Sequence, residues 1–155
     1  MTFKPHILCK SPAPQIILYI NMDVDMNTPF RTAYSFEKRR EESSRIRLKF
    51  KDRIPVIVER ASHSASHSAS HDAKNPSIPN IDKKKYLVPP EFTFGQLIYV
   101  VRLRMQLPPE TAMFCYIGKS QMPSTSTLMK TLYQKHKDED GFLYMIYAGE
   151  NTFGK

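Results

Sequence analysis

The chain has 155 residues, 41% of them hydrophobic and 11% aromatic, with a formal net charge of +8; this suffices for one compact domain plus surplus chain. Its two cysteines, Cys9 and Cys115, are too few for a disulfide framework and point to a reducing compartment. No run approaches the roughly 20 apolar residues that cross a bilayer, so any membrane attachment is expected to be added after synthesis.

Residues 1–25 are spaced by prolines and read as a flexible N-terminal extension. The apolar run Ile16 to Ile20 is too short for the core of a secretory signal and follows Pro12 and Pro14. From Phe36 to Phe50 the spacing of Phe36, Ser43, Ile46 and Phe50 predicts a charged helix with one narrow apolar stripe. It must stop before Pro55, within the β-branched strand Ile54 to Val58. Residues 61–75 form a loop insertion built on an Ala-Ser-His-Ser repeat. The short strand Lys85 to Val88 is ended by Pro89 and Pro90.

Thr93-Phe94-Gly95-Gln96 fits a capping box, and Leu97, Val100, Val101 and Met105 recur at helical spacing behind it. Met113 to Ile117 reads as the next strand and Gly118 as a turn. Ser124 or Ser126 is expected to cap a helix that turns Leu128, Leu132 and Tyr133 inward. Asp140-Gly141 turns the chain into Phe142 to Ala148, whose unbroken apolar character predicts a central strand. A polar tail, Gly149 to Lys155, follows. This order describes an α+β roll of the ubiquitin type.

Basic residues crowd Lys38 to Arg53 and Lys83 to Lys85, with Arg102 and Arg104 beyond. Such clusters attract nucleic acid, anionic lipid or acidic peptide, or simply form a solvated helix face. No nucleic-acid-binding motif accompanies them, so no specific nucleic acid is expected. His63, His67 and His71 would line one face of a helix, as a metal site requires. Serine and histidine are mediocre helix formers, however, and so regular a repeat reads as slippage expansion, so no metal is expected. Cys115, inside the apolar run Met113 to Ile117, reads as a buried strand residue without the base a nucleophile needs. Neither an enzyme nor a cofactor is expected.

Ordered blocks along the chain carry a resemblance. They are Tyr34-Ser35-Phe36-Glu37-Lys38-Arg39, Arg53-Ile54-Pro55-Val56-Ile57 and Ile81-Asp82-Lys83-Lys84-Lys85-Tyr86-Leu87-Val88-Pro89. Leu107-Pro108-Pro109-Glu110, Tyr133 to Tyr144 and Gly149-Glu150-Asn151-Thr152-Phe153-Gly154 complete them. Together they resemble the autophagy-related protein eight family, which includes the light chain three and GABA-receptor-associated modifiers. The resemblance covers residues 26–155 apart from the histidine repeat. Met26 aligns with the usual initiator of relatives.

The resemblance implies a ubiquitin-like β-grasp domain, a four-stranded mixed sheet with packing helices, preceded by two N-terminal helices. It implies that a processing cysteine protease removes Lys155. Ubiquitin-like activating and conjugating enzymes then join Gly154 to phosphatidylethanolamine. The modifier would be cytoplasmic, and on autophagosome or vacuole membrane once lipidated. It also implies docking of autophagy receptors through short hydrophobic motifs that add a strand to the sheet edge at Lys85 to Val88. An aromatic anchor would enter a pocket of Glu42, Ile46, Pro55, Lys83, Lys85, Leu87 and Phe142. An aliphatic anchor would enter a second pocket of Tyr86, Val88, Pro89, Phe92, Leu97, Val100 and Arg104. Lys83, Lys85 and Arg104 would meet acidic residues flanking the motif. Phe92 and Leu97 differ in size from some relatives, and Leu97 equally fits a core position. A ubiquitin-like binding module in vesicle traffic or microtubule association, never lipidated, is the alternative.

Overall fold

The computed structural model describes residues 28–61, 78–118 and 121–149, and the backbone of 18–20. The elements are β1 (Leu18–Ile20), α1 (Phe30–Ala33), α2 (Phe36–Lys49), β2 (Ile54–Arg60), β3 (Lys85–Val88), α3 (Phe94–Arg104), β4 (Phe114–Ile117), α4 (Met129–His136) and β5 (Leu143–Ala148). Two N-terminal helices therefore precede the roll.

Local chemistry accounts for the helices. Ser35 caps α2, its hydroxyl accepting from the Lys38 amide, with Glu37 in the first turn and Arg47 and Lys49 in the last. At α3 the capping box forms as expected: Thr93 Oγ1 accepts from the Gln96 amide at 3.2 Å, while Gln96 Oε1 accepts from the Thr93 amide at 2.8 Å. The expected serine cap of α4 does not form. Its N-cap is Leu128, which makes no side-chain bond. The preceding turn is spent elsewhere, because the Phe94 and Gly95 amides donate to the carbonyls of Thr127 and Thr125.

The strands lie in the order β1-β3-β2-β5-β4. β2 runs antiparallel to β3 and parallel to β5, with Val56 opposite Leu143, and β4 runs antiparallel to β5. These four strands are the mixed sheet of the β-grasp, and the apolar β5 is interior to it. Pro55 stands opposite Leu87 one residue before the β5 ladder begins, where its missing N–H is tolerated. The three-residue β1 extends the sheet beyond β3. It lies within the stretch read from sequence as a flexible extension, whose other residues, 1–17 and 21–25, lie outside those described.

Side chains alternate across the sheet and build a core on each face. The larger core joins Val56, Val58, Tyr86, Val88, Leu143, Met145 and Tyr147 to Leu97 and Val101 of α3 and Met129, Leu132 and Tyr133 of α4. The smaller joins Ile57, Leu87, Phe142 and Tyr144 to Phe30 of α1 and Ile46 of α2. The sheet is thus sandwiched between two helix pairs.

A buried polar knot fixes α2 to the second face. The Asp140 carboxylate, fully buried, accepts from the Phe142 amide at 2.9 Å, from Arg39 Nη1 at 2.5 Å and from the Tyr144 hydroxyl. Ser43 donates to the Asp140 carbonyl. Burial, with the neighbouring Asp140 charge, pushes the Tyr144 phenol well above its ordinary range.

Candidate functional site

β3 organises the predicted docking residues, because strand alternation sends them to opposite faces. Lys85 and Leu87 belong to the α1–α2 side, Tyr86 and Val88 to the α3–α4 side. The structure brings Ile46, Leu87 and Phe142 into one cluster, with Glu42 reaching in from α2 to pair with Lys85. Pro55 is buried at the register position of Leu87, and Lys83, half-buried, precedes the strand. Sequence reasoning gave no role to Phe30. This ring, fully buried, stands edge-on to Phe142 at 5.3 Å and 5.1 Å from the Tyr34 ring. Lys85 Nζ lies 5.9 Å from the ring centres of both Phe30 and Phe142. A lone aromatic after Pro29 carries no period that could have announced this position.

The second predicted pocket maps to the other face. Tyr86, Val88, Pro89, Phe92 and Leu97 are all buried, and Val100 packs partly exposed against the same cluster. Leu97 is fully buried, so it serves as core. Arg104, from the last turn of α3, grips Asp82 with two parallel bonds of 2.8 and 2.7 Å.

Two of the three cations expected to greet acidic peptide residues hold carboxylates of their own chain: Lys85 pairs with Glu42 and Arg104 with Asp82. The neighbouring Lys84, which was not among the three, pairs with Glu59 at 3.1 Å. Burial pulls the Lys85 ammonium below its ordinary pKa, and the bond to Glu42 offsets part of that fall. The hydrogen bonds from Arg104 hold the Asp82 carboxyl below its ordinary value. An acidic partner at this site must therefore exchange with carboxylates already in place.

The edge of β3 differs from the open edge the sequence suggested. Leu18, Tyr19 and Ile20 pair antiparallel with Leu87, Tyr86 and Lys85. The physical reason is the row of amide and carbonyl groups that an edge strand presents and a short β-prone segment can satisfy.

Other predicted features have simpler outcomes. Cys115 is buried in β4, and loss of solvent pushes its thiol up to about 12, the opposite of what a nucleophile needs. Gly154, Lys155 and the histidines 63, 67 and 71 lie outside the described residues. Among the described residues there is no cluster of metal-ligating side chains and no helix long and apolar enough to cross a membrane.

Comparison with known proteins adds independent findings. The family described as "Autophagy protein Atg8 ubiquitin like" matches residues 38–154. Autophagy-related protein 8 of Saccharomyces cerevisiae is 50% identical over 130 residues, covering 84% of this chain and 100% of that protein. Autophagy-related protein 8c of Arabidopsis thaliana is 52% identical over 128 residues, or 83% of this chain and 97% of that protein. The crystal structure of Trypanosoma brucei ATG8 matches with a TM-score of 0.66 at 37% identity, covering 83% of this chain and 99% of that one.

Proposed function

Because this chain belongs to the Atg8 family of ubiquitin-like autophagy proteins, we propose that a cysteine protease trims it after Gly154 and that activating and conjugating enzymes join the new carboxylate to phosphatidylethanolamine. The observation that carries this reading is the reach of the family match, which runs through Gly154 and takes in Thr152 and Phe153. A glycine carbonyl has no β-carbon to obstruct attack, and an unbranched tip suits a narrow enzyme channel. Two acyl chains would then supply the membrane anchor, each buried methylene contributing about 0.8 kcal/mol. In this reading the chain is a modifier rather than an enzyme. It works in autophagosome formation, cytoplasmic until lipidated and on autophagosome or vacuole membrane afterwards.

Its second activity is the docking of receptor motifs along β3. The placement of the two predicted residue sets on opposite faces of one strand supports this, since an extended peptide presents alternate side chains in the same way.

Gly154→Ala tests the conjugation directly: the membrane-bound form should be lost while the soluble protein stays folded. Mass spectrometry of the C-terminus from fed and starved cells is the companion measurement. Intact Lys155 in all of the protein under both conditions would overturn the reading.

A further inference from the structure

We propose that Leu18–Ile20 is an internal occupant of the β3 edge that competes with docking peptides, so that the N-terminal segment gates the site in cis. The inference rests on the docking function just proposed. β2 closes one side of β3 and β1 the other, so with β1 in place β3 has no open edge. The register puts β1 against Lys85, Tyr86 and Leu87, which are members of both predicted anchor sets. An added peptide strand needs the same amide and carbonyl groups, and one edge accepts one strand at a time.

Strand alternation gives β1 the layout of such a peptide. Tyr19 stands at the register position of Tyr86, and Leu18 and Ile20 at those of Leu87 and Lys85. The covalent connection favours this occupant. Ile20 is opposite Lys85, and the Thr28 carbonyl accepts from Lys84 Nζ at 2.7 Å. Ile20 and Thr28 therefore both lie at the Lys85 end of β3. A short tether gives effective concentrations on the order of millimolar, enough to weigh against a peptide of micromolar affinity. Yet among the described residues three register pairs hold β1, so its release is cheap. A peptide's apparent affinity falls by the fraction of molecules whose edge is open.

The test uses full-length protein and a fluorescent peptide carrying an aromatic and an aliphatic anchor behind acidic residues. Successive amides of a strand point to opposite edges, so Leu18→Pro with Tyr19→Pro removes at least one donor aimed at β3. The doubly substituted chain should bind the peptide about tenfold more tightly or better, and a free peptide of residues 14–24 should compete with the probe on it. Equal affinity in both chains would leave docking intact and overturn the gate. Binding by neither chain would overturn docking and the gate together. Hydrogen exchange on the unsubstituted chain gives a second readout. Saturating probe should expose the amides of β1 while those of β3 stay protected, and continued protection of β1 beside bound probe also overturns the gate.

Discussion

Gly141 shows how a single residue sets the geometry around the polar knot. Its φ is +89°, and a β-carbon there would stand 2.5 Å from Ser43 Oγ. Ser43 is buried and already engaged with the carbonyls of Arg40 and Asp140, so it has little room to yield. Gly141→Ala should therefore cost about 1–3 kcal/mol, seen as a lower urea midpoint at an unchanged slope. Cys115 sets a pH dependence. An unfolded thiol begins to ionise near 9.0, whereas the buried one keeps its proton to about 12. Between those values the native state holds more protons, so stability present below 9.0 is lost as pH rises. The Tyr147 phenol, pushed up to about 12 by burial, acts in the same direction from 10.0. Cys115→Ala should shrink the alkaline fall of the urea midpoint, each protein being referred to its own value below 9.0. An undiminished fall would show that Cys115 is not part of it.

At the level of elements, the docking of α2 rests on Asp140, a residue that also starts the turn into β5. Asp140→Ala would leave the Arg39 guanidinium with no carboxylate partner, and the Phe142 amide would lose its acceptor. The expected loss is about 3–5 kcal/mol, and amide exchange should rise in α2 first. Equal loosening of α3 would argue against a local role. The same element shows what sequence could and could not reveal. α3 was legible in its cap and in Leu97 and Val101, because both signals lie within one short stretch. In α2 the stripe through Ser43 and Ile46 was legible, but Arg39 counted there as one more solvated cation. Its partner Asp140 lies more than a hundred residues away, and no local pattern announces such a pairing. β1 was hidden for the same reason. Three residues set no period, and their partner strand is remote. The two docking sets came from the family resemblance, not from any local pattern. Glu42 stood in the same set as Lys85, but neither that ion pair nor the one between Arg104 and Asp82 was announced by the sequence.

The whole molecule is organised around the parallel pair β2–β5, which joins Val56–Arg60 to Leu143–Tyr147. Exchange protection should accordingly be highest in these two strands and low in β1, which joins the sheet only at its margin. Uniform protection from β1 to β5 would contradict this ranking. The pair has a further consequence in time. β5 fills the gap between β2 and β4, so a growing chain that has made β2, β3 and β4 cannot join them into one sheet until the stretch ending at Ala148 exists. Contacts so distant along the chain close slowly, on the order of milliseconds to seconds. Until then one flank of β2 is bare and apolar, which makes the nascent chain a natural client for chaperones and the interval before β5 arrives its most aggregation-prone moment.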